Sequence, residues 1–361
     1  MTHRIALIPG DGIGLEVVPQ AVRVLEAVGA EFGISFEWQP HPWGCAFFRE
    51  TGRMMPADAL DRLRQCDAIL LGAVGWPGVP DHVSLWGLLL PIRRGLQQYI
   101  NLRPVRVLRG LRSPLRERGP EHIDMVIIRE NNEGEYSEIG GRHFQGTERE
   151  IVLQTSVFTR HGTDRVMRFA FELARRRPDR HLTSATKSNG IMHAMPFWDE
   201  RFAAIASEYE DVRADQYHVD ALAAQLVLRP ERFDVIVGSN LFGDILSDLA
   251  PALAGSLAIA PSANLNPERE FPSMFEPVHG SAPDIAGKGI ANPIGQIWSA
   301  ALMLEHLGHP EAARAVERAI EAAIADKGIR TPDLGGTAGT EEMGEAITSL
   351  VSRARAHAAA T

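Results

Sequence analysis

An α/β protein, with helices packed over a largely parallel sheet, is the fold this sequence predicts, and three observations carry it. Short β-rich runs alternate with helical patterns along the whole chain, as they do where strands are joined through helices. Several of those runs are apolar throughout instead of alternating, the pattern of strands covered on both faces. At 361 residues the chain also exceeds the usual size of one core, so two domains are the default.

The elements follow in order. IALI at 5–8 is the first strand, and Val17, Val18, Ala21, Val22, Leu25 and Val28 recur at helical spacing behind it. Pro19 falls early in that helix, where it is tolerated. AILLGAV (68–74), MVIIRE (125–130) and FDVIVGSN (233–240) read as buried strands ending in small or polar residues. Residues 310–325 form an Ala-rich amphipathic helix, with Lys327 and Gly328 as its C-terminal signals. Glycine and proline are scattered, so they mark turns and no flexible tether. No internal repeat or low-complexity tract is visible.

The composition excludes several functions. A net charge of −9 argues against nucleic acid, which is bound through dense Lys/Arg patches. An acidic substrate would then need a local cluster of arginines. The two cysteines, Cys45 and Cys66, form no CxxC and fit a reducing compartment. The chain passes from Met1 straight into its first strand with no signal-peptide pattern. The most apolar later stretch, 249–261, is too short to span a bilayer. These features predict a cytoplasmic protein with no membrane contact.

Asp244 and Asp248, in SNLFGDILSDLAPALAG, lie four residues apart at a helix start. That spacing puts their Cβ atoms about 5–6 Å apart on one face. Like charges so placed repel, whereas Mg²⁺ or Mn²⁺ would welcome both carboxylates. Asp220, in QYHVDALAAQLV, is a third candidate ligand. The alternative is a pair of solvated aspartates favoured by the helix dipole.

PGDGIG at 9–14 follows a strand and opens a helix, yet its third glycine comes one place early for G-x-G-x-x-G. A dinucleotide fingerprint and a plain glycine turn both remain open there. In HGSAPDIAGKGIANP (279–293) small residues expose backbone N–H groups able to cradle a pyrophosphate or adenine. Asp284 suits a ribose diol and would repel a 2′-phosphate, favouring NAD over NADP. Plain structure is the alternative for any isolated glycine-rich loop. Arg93, Arg103 and Arg129 each sit near a strand end or turn. Singly, such arginines form surface ion pairs, but three converging forks would fit a dicarboxylic acid. Tyr136 and Lys187 are the candidate acid–base groups, because a lysine near a metal and other cations has its pKa pushed down. A buried tyrosine with one hydrogen bond is the bland alternative.

PGDGIG, NLRPV, REN-x-EGEY, TKSNG, SNLFGDILSDL and FEPVHGSAPDIAGKGIANP occur in an order that resembles the β-decarboxylating hydroxyacid dehydrogenases, over nearly the whole chain. That family includes the isocitrate, 3-isopropylmalate, homoisocitrate, tartrate and D-malate dehydrogenases. The resemblance implies an isocitrate/isopropylmalate dehydrogenase-like two-domain α/β fold, not a Rossmann fold, with its active site in an interdomain cleft. A large NAD-binding domain would comprise 1–102 and 258–361, and a small central domain 103–257. It further implies a homodimer with shared sites, Asp244 and Asp248 holding Mn²⁺ or Mg²⁺ with Asp220 from the partner. Arg93, Arg103 and Arg129 match substrate arginines. Tyr136 and Lys187 match the proton-transfer pair, with Lys187 reaching across the dimer. Ile13, Glu276, His279, Gly280, Ser281, Ala282, Asp284 and Asn292 match the NAD site. A K⁺ activator is compatible with the resemblance.

Trp86 stands seven residues before Arg93, where the isopropylmalate enzymes carry a glutamate. An indole there would shorten the pocket and reject an isopropyl group. GAVGWPGVPDHVSLWG, RPERFDV and IAPSANLNPER look most like the tartrate and D-malate members. The expected activity is therefore oxidation and decarboxylation of D-malate and tartrate. 3-Isopropylmalate dehydrogenase is the alternative of the same class, and a silent ligand-binding homologue that of another. Asn132, where the family commonly has threonine, has no assigned role.

Overall fold

The computed structural model describes residues 2–358, with side chains to residue 352. Its strands are β1 (Thr2–Gly10), β2 (Ser35–Pro40), β3 (Ala68–Ala73), β4 (Ile100–Arg106), β5 (Asp124–Glu130), β6 (Gly140–His143), β7 (Ile151–Gln154), β8 (His181–Thr186), β9 (Arg213–His218), β10 (Val235–Gly238), β11 (Pro261–Leu265) and β12 (Ser273–Pro277). The chain divides into two compact units. One comprises Met1–Gln98, Arg106–Pro120 and Pro251–Thr361, the other Tyr99–Val105 and Glu121–Ala250.

In the first unit the strand order is β2-β1-β3-β12-β11. β1 runs parallel to β2 and β3, and β3 parallel to β12, while β11 returns antiparallel to β12. Every residue of β3 is buried, as its unbroken apolar run requires. The helix Gly14–Phe32 buries Val17, Val18, Ala21, Val24, Leu25 and Val28. Val24 thus takes the buried place expected of Val22. Gly33, at φ 70, closes the helix by donating to the Gly29 carbonyl. Pairing of Gly10 with Ala73 aligns the C-terminal ends of β1 and β3. The loops that follow these strands therefore start side by side, where open parallel sheets bind ligands.

Residues 106–120 lie with this first unit, unlike the expected central segment 103–257. Charge and backbone contacts hold them there. Arg106 pairs with Glu317 at 3.1 Å, the Ser113 hydroxyl donates to the Leu253 carbonyl, and Arg330 donates to the Gly110 carbonyl.

The second unit has the order β4-β5-β10-β8-β9, with β5, β10, β8 and β9 mutually parallel. Its registers decide the chemistry nearby. Gly238 of β10 lies opposite Arg129 of β5, so the helix Asn240–Ala254 begins beside that arginine. Gly243 in the helix allows the approach, since a Cβ there would come 2.6 Å from the Arg129 Cβ. Thr186 of β8 lies opposite His218 of β9, which sets Lys187 beside the start of the helix Val219–Leu228 and its Asp220.

A separate antiparallel ribbon, β6 with β7, is exposed along its length. Ile139, Phe144, Val152 and Leu153 are each more than half exposed there. Among the described residues no helix is long and apolar enough to cross a membrane.

Candidate active site

In the second unit the helix Asn240–Ala254 presents Asp244 and Asp248 to two arginines and a tyrosine. Arg129, at the end of β5, is 3% exposed. Its Nε and Nη2 donate to Asn240 Oδ1 at 3.0 and 2.6 Å, and Nη1 donates to Asp244. The same guanidinium lies over the Tyr136 ring, 5.3 Å from its centroid. Tyr136 donates its hydroxyl to Asp244 Oδ2 at 2.9 Å. Arg103, on β4, donates to Ser247 Oγ at 2.7 Å and Asp248 Oδ1 at 2.9 Å.

The electrostatics follow from that packing. Burial first, and then the Asp244 charge, push the Tyr136 phenol above its ordinary range, so it keeps its proton at neutral pH. Partial burial and the neighbouring Asp244 also raise the Asp248 carboxyl, against the pull of Arg103. A divalent cation would relieve both effects at Asp248, because it rewards the charged form. The two carboxylates are hard oxygen donors of the kind Mg²⁺ and Mn²⁺ take.

Lys187 and Asp220 form a second cluster in the same unit. Lys187 Nζ donates to Asp220 Oδ1 at 2.8 Å, and this bond lowers the Asp220 carboxyl from its usual value. Among the described residues no three His, Cys, Asp or Glu side chains are arranged to hold a metal ion. Asp220 thus keeps company with the lysine in one chain, while Asp244 and Asp248 share a helix.

Three glutamates within RENNEGEY brace this site. Glu130 is buried and accepts from the Asn132 and Glu133 N–H groups at 3.0 and 2.8 Å. Its desolvation pushes the carboxyl up to about 7. Glu133 accepts from the Thr159 N–H and hydroxyl, both at 2.9 Å. Glu135 accepts from the Ser239 hydroxyl at 2.7 Å and the Leu241 N–H at 3.0 Å. It therefore fastens the Tyr136 loop to the start of the aspartate helix, where an anion also suits the dipole. The clustering of acidic residues between Arg129 and Tyr136 was the available signal for these braces. Asn240 had one too, as an N-cap residue type opening a helix. Asn132 keeps its Oδ1 buried without a partner.

The first unit holds the remaining candidates. An open cleft of about 600 Å³ is lined by Val74–Asp81 and Gly280–Pro283. Ile13 N–H donates to the Ser281 carbonyl at 2.9 Å. Ala282 adopts φ 41, a conformation rare outside glycine. A Cβ on Gly280 would meet nothing within 4 Å, so its backbone is open to a ligand. His279 donates from Nδ1 to the Gly280 carbonyl, 3.0 Å away, while its Nε2 is buried without a partner. Burial lowers its pKa, so the ring is neutral. Asp284 is exposed. Asn292 donates to Asp333 at 2.9 Å and accepts from the Ile294 N–H at 2.9 Å. An orphaned imidazole nitrogen and an open glycine backbone beside a roomy cleft fit an NAD molecule.

Arg93 also belongs to this unit. It donates to Glu276 Oε1 at 2.7 Å, both side chains being under a tenth exposed, and Asn264 donates to the same oxygen at 2.7 Å. The structure thus brings Arg103 and Arg129 onto one pair of aspartates and gives Arg93 a different carboxylate. Trp86 lies in a π-helical turn, Leu85–Leu89, in which Leu90 N–H donates to Leu85. The extra residue per turn shifts facing positions by one. The indole accordingly meets Arg94, whose guanidinium lies 4.9 Å above the ring. It lines a pocket of about 520 Å³ with Phe48, Met54, Met55, Leu60 and Val83.

The family model for isocitrate/isopropylmalate dehydrogenases matches residues 4–347. The chain is 55% identical over 359 residues to the D-malate dehydrogenase (decarboxylating) of Escherichia coli (strain K12), covering 98% of this chain and 99% of that one. It is 56% identical over 360 residues to the tartrate dehydrogenase/decarboxylase of Pseudomonas putida, covering 98% of each. The crystal structure of isocitrate dehydrogenase from Methylococcus capsulatus superposes with a TM-score of 0.87 at 39% identity, over 97% of this chain and 99% of that one.

Proposed function

Because the chain belongs to the isocitrate/isopropylmalate dehydrogenase family, we propose that it oxidises D-malate and tartrate with NAD⁺ and Mn²⁺ or Mg²⁺ and decarboxylates the product. D-malate would give pyruvate and CO₂, and tartrate oxaloglycolate or its decarboxylated product. The observation that carries this reading is the group Arg103, Arg129, Tyr136, Asp244 and Asp248. It sits in a chain more than half identical to enzymes named for those two substrates.

Asp244 and Asp248 are the ligands for the cation, and the cleft beside Gly280–Pro283 is the seat of NAD⁺. When bound, these groups supply a Lewis acid and a hydride acceptor. Arg103 and Arg129 present charged forks to the substrate carboxylates. Lys187 removes the C2 hydroxyl proton as C2 gives up its hydride. CO₂ then leaves from C4, its bonding electrons passing into the enolate, and Tyr136 returns a proton to C3. One proton taken and one given leave D-malate and NAD⁺ balanced against pyruvate, CO₂ and NADH. Tyr136 keeps its proton at neutral pH, the form a general acid needs. The exposed Asp284 beside the cleft favours a free ribose diol over a 2′-phosphate.

A homodimer completes the site, with Lys187 and Asp220 of one copy serving the aspartate helix of the other. The β6–β7 ribbon supports this, since two strands alone are marginal in water and its Ile139, Phe144, Val152 and Leu153 stay more than half exposed among the described residues. Two free, buried cysteines fit the reducing cytoplasm.

The test is NAD⁺ reduction by the purified protein with D-malate, each tartrate isomer and 3-isopropylmalate, in Mn²⁺ or in EDTA. Metal-dependent turnover of malate and tartrate is expected. Preference for 3-isopropylmalate would overturn the substrate, and no turnover of any would leave a silent homologue.

A further inference from the structure

Apart from Ile13, the turn PGDGIG and the glutamate that follows it, Glu16, have so far been given no part in the reaction. Its glycines do not open toward a ligand. Gly10, at φ 73, lies so close to β3 that a Cβ would stand 2.0 Å from the Ala73 carbonyl oxygen. Gly12, at φ 56, would meet the Ser281 carbonyl oxygen at 2.1 Å. Both close approaches are to protein backbone, on the two sides of the cleft.

The side chains of the turn reach the same two walls. Asp11 is 5% exposed. It accepts from the Cys45 N–H at 2.8 and 3.1 Å through its two oxygens, and from the Gly75 N–H at 3.0 Å. Gly75 opens the Val74–Asp81 wall. Glu16, in the first turn of the helix Gly14–Phe32, accepts from the Gly287 N–H at 2.7 Å and the Gly289 N–H at 2.9 Å. Those two glycines continue the opposite wall beyond Pro283. Between them, Ile13 N–H holds the Ser281 carbonyl.

We propose that Asp11 and Glu16 are positioning residues for the dinucleotide, Asp11 fixing the 74–81 wall and Glu16 the 287–289 segment. On this view the turn is a brace for the cofactor's seat and contributes no phosphate cradle of its own. The inference rests on the reading that NAD binds in this cleft. A carboxylate is required at residue 11 because the groups its oxygens meet are donors, the Cys45 and Gly75 N–H groups and the Cys45 thiol. An amide would turn one oxygen into a further donor and leave a buried N–H without its acceptor.

The experiment is NADH binding to the full-length protein without substrate, followed by tryptophan quenching, since Trp76 lines the cleft. Asp11→Asn and Glu16→Gln are compared with wild type, and KM for D-malate and the Mn²⁺ dissociation constant are measured alongside. Asp11→Asn is expected to raise the NADH dissociation constant about tenfold, or about 1.4 kcal/mol. Glu16→Gln should raise it about threefold, a change of roughly 0.65 kcal/mol. The other two constants should stay within about twofold of wild type, under about 0.4 kcal/mol. Should Asp11→Asn fail to fold, the partly exposed Glu16 carries the test. Folded variants that bind NADH like wild type would overturn the proposal, as would parallel losses in all three constants. Wild type that binds no NADH would sink the cofactor reading itself.

Discussion

Replacing Tyr136 by Phe removes one oxygen and nothing else from the site, so its consequences can be worked out. The lost hydroxyl donates to Asp244 at 2.9 Å, a bond to a charged acceptor worth roughly 1.5–3 kcal/mol. Asp244 keeps its bond from Arg129. The ring stays beneath the Arg129 guanidinium, at 5.3 Å, preserving a cation–π contact of about 0.5–1 kcal/mol. A domain of ordinary stability survives that loss. Catalysis does not, because protonation of C3 loses its general acid. Such assistance is worth roughly 10²–10⁴-fold, or about 2.7–5.5 kcal/mol of barrier. Oxidation precedes that step and needs no proton from Tyr136. Rapid mixing of Tyr136→Phe with D-malate, NAD⁺ and Mn²⁺ should therefore show a burst of about one NADH per site, then steady turnover slowed by that factor. Steady turnover within threefold of wild type would refute the assignment. So would a burst slowed as much as the steady state, which would move Tyr136 into the oxidation step.

Other expectations follow from the same geometry. Lys187→Ala should cut malate oxidation by roughly 10²–10⁴-fold while oxaloacetate is still decarboxylated; normal oxidation by the folded variant would remove Lys187 from proton transfer. Glu130 has its carboxyl raised from 4.5 to about 7 by desolvation, so the protonated form stabilises the fold. Its contribution is complete below pH 4.5 and is lost as pH rises through 7. Relative to Glu130→Gln, wild type should lose about 2.5 kcal/mol between pH 5 and pH 8; urea unfolding at those two values measures it, and a constant difference would count against a buried neutral acid. Trp86→Ala removes an indole from the lining of the pocket it shares with Met54 and Leu60. If the indole excludes branched C3 groups, kcat/KM for 3-isopropylmalate relative to D-malate should rise at least about tenfold. An unchanged ratio would take substrate choice away from Trp86, in keeping with its stacking on Arg94.

What could be read from the chain alone was what neighbours in sequence encode. The all-apolar run of β3 and the helical spacing of Val17 to Val28 announce buried strand and amphipathic helix, because side-chain direction repeats every two or 3.6 residues. The i, i+4 spacing of Asp244 and Asp248 places them on one helical face wherever that helix goes. The motifs around them, taken together, identified the family. Partners distant in sequence were not legible. Arg93, Arg103 and Arg129 look alike as residues, yet β12 gives Arg93 the carboxylate of Glu276, and a helix after β10 gives the other two Asp244 and Asp248. Lys187 meets Asp220 because β8 and β9 pair with Thr186 opposite His218. Glu135 became a cap only when its loop met residues 239–241. Trp86 faces Arg94 through a turn of π geometry, which its place seven residues before Arg93 does not reveal. Periodicity is a property of the backbone's own geometry and is written in the sequence. The partner of a buried charge is settled by which strands lie side by side, since desolvation forces each group to bond with whatever the packing brings within reach.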